Sequence, residues 1–183
     1  MTLILASGSP RRKRLLGKIA RKFLVMPANV SERLKKGEGF AAACMRLAAA
    51  KARNVSRRRP DAIAIGADTI AYMGGKIYRK TEDAGVARRI LLELSGKAHY
   101  VVTGVAVVFP GGKCVKYSVC AKVQMKRLTP KLLEWYMESG EWGGRAGCYD
   151  VSGKGKRLVG KITGEKETVI GLPLKKLRAL LRN

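Results

Sequence analysis

Short apolar runs with the character of buried strands alternate with amphipathic helical segments along this 183-residue chain. That alternation constrains the fold more than any other feature, and it points to the α/β class. Leu3 to Ala6 reads as a short buried strand. Ser9 and Pro10 then supply an N-cap and a first helical residue, with Leu15, Leu16 and Ile19 on one face. Phe23 to Met26 reads as a second strand, and the Ala-rich segment from Gly39 to Arg53 as a helix that ends near the basic run Arg57–Arg59 and Pro60. Ala62 to Ala67 is a strongly apolar strand. Ile70 to Met73 and Lys76 to Tyr78 form a hairpin around Gly74 and Gly75. Thr81 is placed to cap a helix whose first turn holds Glu82 and Asp83 and whose inner face is Val86, Ile90, Leu91 and Leu94. Two long β-rich runs, Tyr100 to Phe109 and Val115 to Met125, are expected to pair antiparallel. Thr129 and Pro130 open a further helix. Thr168 to Ile170 reads as a last strand, and Leu174, Leu177 and Leu181 fall at helical spacing. The mixture predicts an α/β fold with a mixed sheet over residues 1–183, as one domain or as two lobes sharing one core.

Length and composition agree with a folded domain, since 46% hydrophobic residues over 183 positions suffice for a sizeable core. No apolar run is long enough to cross a bilayer, so no membrane partner is expected. The apolar start, Met1 to Ala6, lacks a basic n-region and is followed by Arg11 to Arg14, the wrong order for a signal peptide. The expected compartment is the cytoplasm. Among Cys44, Cys114, Cys120 and Cys148 there is no CxxC pair, and there is a single histidine, which argues against zinc. A Cys114–Cys120 disulfide is conceivable, but reduced thiols are the default in the cytoplasm. The charge is unusual: 38 Lys and Arg against 13 Asp and Glu give a net charge of +25. Such a field favours polyanions, nucleotides or nucleic acid among them, without choosing between them.

Four segments have the residue types that chemistry needs. In Ser7-Gly8-Ser9-Pro10-Arg11-Arg12 a strand passes through a small loop into a helix start. Unpaired backbone N–H groups and two arginine forks there suit phosphate oxygens. The ordinary alternative is a capped helix with a basic first turn. The GxxxxGK[ST] spacing of a P-loop is absent. Asp68, directly after an apolar strand, is placed to hold a metal or activate water, or else simply to cap a turn. Lys51, Lys80 and Glu32 are charges in apolar or capped settings, each alone more consistent with a solvated surface. His99 reads as structural. The Gly-rich stretch 139–157 is long for a plain connector, and Trp142 and Tyr149 argue that it is ordered.

These segments together resemble the Maf family, also called septum formation inhibitor proteins. The matching text is ASGSPRRKRLL at 6–16, AAAKA at 48–52, IGADTI at 65–70, LSGKAHYVVTGVAV at 94–107, GEWGGRAGCYDVSGKG at 140–155 and VIGLPL at 169–174, in that order. The resemblance implies a nucleoside triphosphate pyrophosphatase with an elongated α/β fold, a mixed sheet with flanking helices and two lobes around a central cleft. Such a hydrolase yields a monophosphate and pyrophosphate and is similar to the enzymes that clear non-standard nucleotides. By the same likeness Asp68 accepts the proton of the attacking water. Ser7, Arg12, Lys51 and Lys80 bind phosphates or the transition state. Arg11, Thr69 and Ser152 stand at positions linked to substrate choice. Glu32, with Asp68, holds Mg²⁺ or Mn²⁺. A homodimer is also implied.

The chain departs from the family pattern at two places. Tyr78-Arg79-Lys80-Thr81 stands where the family usually has Leu-Gly-Lys-Pro, with the lysine kept. Ser152 stands where the dTTP/UTP branch usually has Gln and the 7-methyl-GTP branch usually has Glu. The surrounding text lies nearer the dTTP/UTP branch, so pyrimidine triphosphates or a modified nucleotide are the expected substrates, with 7-methyl-GTP as the alternative. Two non-catalytic readings compete: a basic nucleic-acid-binding protein, and a regulator of cell division.

Overall fold

A computed structural model of the protein describes residues 1–182. The elements follow the order β1 (Leu3–Leu5), α1 (Pro10–Leu16), β2 (Leu24–Val25), α2 (Phe40–Arg58), β3 (Ile63–Met73), β4 (Lys76–Ile77) and α3 (Ala84–Leu94). They continue as β5 (Ala98–Val108), β6 (Cys114–Met125), α4 (Pro130–Glu138), β7 (Val159–Thr163), α5 (Lys166–Ile170) and α6 (Leu174–Leu180). The strands form one seven-stranded mixed sheet in the order β2-β1-β3-β5-β6-β7, with β4 added to β3. Pairing of β1 with β2 and β3 is parallel; β3 with β4 and β6 with β7 are antiparallel. The chain divides into two compact units. The first comprises Met1–Thr69, Val102–Val119 and the segment from Gly171 onward; the second comprises Ile70–Val101 and Cys120–Ile170.

In the first unit α2 packs on the sheet through small residues. Ala48, Ala52 and Val55 meet Ile4, Ala6, Ala64 and Ala106 in one buried cluster. Contact is close because β3 and β5 present glycines to the helix. A Cβ on Gly66 would lie 2.1 Å from the Ala48 carbonyl oxygen, and one on Gly104 would lie 2.3 Å from the Cys44 carbonyl carbon. The helix ends at Arg58, within the basic run where its end is expected. Arg57 and Arg58 in its last turn suit the negative end of the helix dipole, and Pro60 disfavours helical geometry at the residue before it.

In the second unit α3 and α4 bury Leu91, Leu94, Leu133 and Tyr136 against Val123, Met125 and Leu158. The predicted hairpin is present: Tyr72 pairs Ile77 and Met73 pairs Lys76. Gly74 and Gly75 take φ of 55° and 79°, the positive values a two-residue type I′ turn requires. The Gly-rich stretch is ordered. Trp142 Nε1 donates to the Met137 carbonyl at 2.9 Å, and the buried Tyr149 hydroxyl meets His99 Nε2 at 2.7 Å.

Several expectations are corrected. The apolar strand and the first arm of the hairpin are a single strand, β3, so Asp68 lies within a strand rather than at its end. Asp83, not Thr81, caps α3, its side chain accepting from Val86 N–H at 2.7 Å; the Thr81 hydroxyl instead accepts from Asp83 N–H. Residues 168–170 belong to helix α5, not a strand, because Val169 and Ile170 pack against the core of the second unit and override β-branched propensity. The last strand is β7, whose exposed, Gly-containing sequence carries little apolar alternation. No disulfide joins the four cysteines. Cys114 and Cys120 lie on one strand, and six residues of extended chain, about 20 Å, is far too long for a bridge.

Candidate active site

Two side chains organise the site in the first unit. The first is Arg12, on the third residue of α1. Ser9 caps this helix, its hydroxyl accepting from Arg12 N–H at 3.5 Å. Arg12 Nε donates to the Gly171 carbonyl at 2.9 Å, Nη1 to the Ser7 hydroxyl at 3.2 Å and Nη2 to the Thr69 hydroxyl at 3.1 Å. Ser7, buried just beyond β1, also accepts from Ser9 N–H at 3.3 Å. The Thr69 hydroxyl shares a 2.9 Å hydrogen bond with Thr103 on β5. The guanidinium is thus fixed from three directions. Burial pushes its pKa down, and the carboxylates of Asp68 and Glu32 pull it back up; an arginine in such a place stays charged.

The second organiser is Lys51, on the inner face of α2. Its ammonium contacts Asp68 Oδ1 at 2.6 Å and Glu32 Oε1 at 2.7 Å. The lysine and aspartate side chains are only 8% and 11% exposed, whereas Glu32 is 44% exposed, so water reaches the pair from the glutamate side. Local structure explains the placement. Asp68 follows Ile65, the last β3 residue in register with β1, by three positions, so β1 has ended where the carboxylate begins. Gly66 lets α2 settle on β3 at Ala48 and Ala52, and one turn after Ala48 the Lys51 stem reaches along the strand to Asp68.

Six of the residues read from sequence therefore gather in one place: Ser7, Arg12 and Thr69 around the guanidinium, and Glu32, Lys51 and Asp68 around the ammonium. Asp68 and Thr69 are neighbours on β3, which joins the two sets. Arg11 is the second residue of α1 and half-buried. Lys80 and Ser152 belong to the second unit. Lys80 is exposed between β4 and α3. Ser152 is exposed and tied to a local acidic group, its hydroxyl donating to Asp150 Oδ1 at 2.5 Å and its N–H to the same oxygen at 2.9 Å. Asp150 Oδ2 in turn accepts from Arg145 Nε at 3.3 Å.

Sequence reasoning missed Thr103, the Gly171 carbonyl and the Asp150–Arg145 pair. Thr103 carried a readable signal, a lone hydroxyl inside the valine run of β5 and fully buried. The Gly171 contact joins residues 159 positions apart, and the Asp150–Arg145 pair, five positions apart, lies in an irregular Gly-rich loop where no periodicity marks it.

Among the described residues no group of three His, Cys, Asp or Glu side chains is gathered as a ready-made metal cage. Glu32 and Asp68 nonetheless fit a hard divalent cation. They are two carboxylates converging on one positive charge, and Mg²⁺ is commonly held by one or two carboxylates, with water and substrate phosphates completing its shell.

The fold places the chain beside solved α/β structures such as that of the Staphylococcus aureus Ham1 protein, with a TM-score of 0.53, 12% identity and coverage of 100% of this chain and 98% of that one. The chain belongs to the family described as Maf-like protein, which matches residues 2–183. It is 42% identical to the dTTP/UTP pyrophosphatase of Paramagnetospirillum magneticum, covering 98% of this chain and 95% of the relative. It is 38% identical to the dTTP/UTP pyrophosphatase of Pyrococcus furiosus, covering 94% and 90%.

Proposed function

We propose that this chain is a nucleoside triphosphate pyrophosphatase, a hydrolase that cuts the bond between the α- and β-phosphates of a pyrimidine triphosphate, dTTP or UTP, to give the monophosphate and pyrophosphate. One observation carries the reading: a buried ammonium, Lys51, bridges two carboxylates, Asp68 and Glu32, beside a guanidinium that both carboxylates influence. Family membership and the names of the two relatives support the reaction and the pyrimidine base.

In this reading Asp68 takes the proton of a water as its oxygen attacks the α-phosphorus. The bond to the bridging oxygen breaks, and pyrophosphate leaves with that oxygen. Negative charge builds on the phosphoryl and leaving oxygens, and fixed cations stabilise it more than they stabilise the ground state. Lys51 supplies one such cation. Arg12 supplies another, and its three anchors mean that little reorganisation is needed as charge develops. A Mg²⁺ or Mn²⁺ held by Glu32 and Asp68 would neutralise triphosphate charge. For Arg11, Lys80 and Ser152 the support is the resemblance alone, with Arg11 and Ser152 tuning substrate choice and Lys80 binding phosphate.

The test is turnover of a panel of canonical and modified triphosphates with Mg²⁺ or Mn²⁺. Wild type should favour dTTP and UTP, and Asp68→Asn should lower the rate by about 10²–10⁴, the usual contribution of a positioned base. An Asp68→Asn protein as fast as wild type would remove Asp68 from the mechanism.

A further inference from the structure

The charge of the chain is unevenly held. More than half of its 38 cations lie in the first unit, which carries only four side-chain carboxylates: Glu32, Glu38, Asp61 and Asp68. All four are engaged. Glu32 and Asp68 meet Lys51, Glu38 takes the Arg46 guanidinium at 2.6 Å, and Asp61 pairs with Arg59 at 3.1 Å. Apart from Lys35, whose charge also acts on Glu38, the exposed cations of the segments flanking β2 have no remaining carboxylate in this unit to answer them. Lys18, Arg21 and Lys22 precede that edge strand, and Arg33, Lys35 and Lys36 follow it, all exposed.

Helix-dipole compensation explains basic residues in the last turns of α1 and α2, but these six lie outside helices. Concentrated, solvated and uncompensated positive charge raises the local density of polyanions and is neutralised best by a regularly charged polymer.

We propose that the basic segments on either side of β2 form a binding surface for the phosphate backbone of nucleic acid, built from residues other than those that hold Lys51 and Arg12. Recognition is through phosphates and not bases. Among the described residues the one markedly exposed aromatic is Tyr100, in the second unit, and Phe23, beside Lys22, is half-buried, so the basic surface presents no fully exposed ring for base stacking. An anionic lipid surface fits less well: Leu24 and Val25 of β2 are exposed, but two residues of a strand are not the apolar face of an amphipathic helix, and the neighbouring helix α1 buries its own apolar residues, Leu15 and Leu16, in the core.

The experiment is fluorescence anisotropy with labelled 20-base-pair DNA and RNA duplexes over a salt series, comparing wild type with the triple variant Lys18→Glu, Arg21→Glu, Lys22→Glu. Wild type should bind both duplexes, with log K falling linearly against log salt. Losing three phosphate contacts should flatten that slope by about 2.7, from about 0.9 per phosphate. The triple variant should keep the wild-type circular dichroism spectrum, and its pyrophosphate release, measured separately, should be unchanged. A variant that binds duplexes with the wild-type slope would overturn the proposal. So would wild type that binds neither duplex at 50 mM salt, or that binds vesicles containing phosphatidylserine but no duplex. These are binding readouts, so they stand whether or not triphosphates are turned over.

Discussion

Lys51 is an ammonium with little water around it, and its charge is answered by Asp68, which is nearly as buried, and by the half-open Glu32. Removing one partner of such a pair leaves the other charge uncompensated, which typically costs 3–5 kcal/mol. Lys51→Met should therefore lower stability to chemical denaturation by about 3 kcal/mol at neutral pH, and Lys51→Met combined with Asp68→Asn should recover much of that loss. If the double variant is no more stable than the single one, the pair is not coupled as described. His99 makes a different kind of statement. It is fully buried, and burial lowers its pKa from 6.5 to about 4. The neutral form is the one the fold accepts, so protonation favours the unfolded chain. The stability tied to this group is intact above pH 6.5 and is lost as pH falls from 6.5 through 4. His99→Phe should be less stable than wild type at pH 7, because the buried Tyr149 hydroxyl loses its 2.7 Å partner, yet its melting temperature should fall less between pH 6.5 and 4.5. A pH dependence equal to that of wild type would show that His99 is not the titrating group.

At the scale of elements, the placement of the site depends on how closely α2 approaches β3. Gly66→Ala would put a methyl group 2.1 Å from the Ala48 carbonyl oxygen and 2.8 Å from the Ala52 nitrogen, both backbone atoms that a rotamer change cannot move. The helix must shift, which costs about 1–3 kcal/mol as overpacking and draws Lys51 away from Asp68. Thermal unfolding should show the loss, and turnover should fall although no catalytic group has changed. A fully active, fully stable Gly66→Ala protein would contradict this packing. Much of the element pattern was legible beforehand, for reasons that are local. The Gly74-Gly75 turn and the Ser9 and Thr129 caps follow from backbone chemistry confined to a few residues. Apart from the α3 cap, where Asp83 takes the place expected of Thr81, the failures were tertiary. Nothing local says that β3 continues through Asp68 to Met73, since a carboxylate directly after the apolar run Ala62 to Ala67 reads as the strand's end. Only the approach of α2 shows why Gly66 stands in that run. Thr168–Ile170 had strand propensity and became helix because of where its side chains pack.

Across the whole molecule, seven strands are interleaved in an order different from that of the chain, and each unit is assembled from separated segments. The Arg12–Gly171 contact was therefore invisible to any reading by spacing, because it joins residues 159 positions apart. Asp68, Lys51 and Glu32 were proposed from resemblance, and their gathering around one ammonium gives that proposal a physical form. Among the described residues no helix is long and apolar enough to cross a membrane. The central claim concerns which phosphorus is attacked, and the position of an isotope label reports it directly. Hydrolysis of dTTP in ¹⁸O-water, followed by ³¹P NMR of the products, should give monophosphate carrying the label and unlabelled pyrophosphate. Formation of dTDP and orthophosphate, or label appearing in the pyrophosphate, would contradict attack at the α-phosphorus.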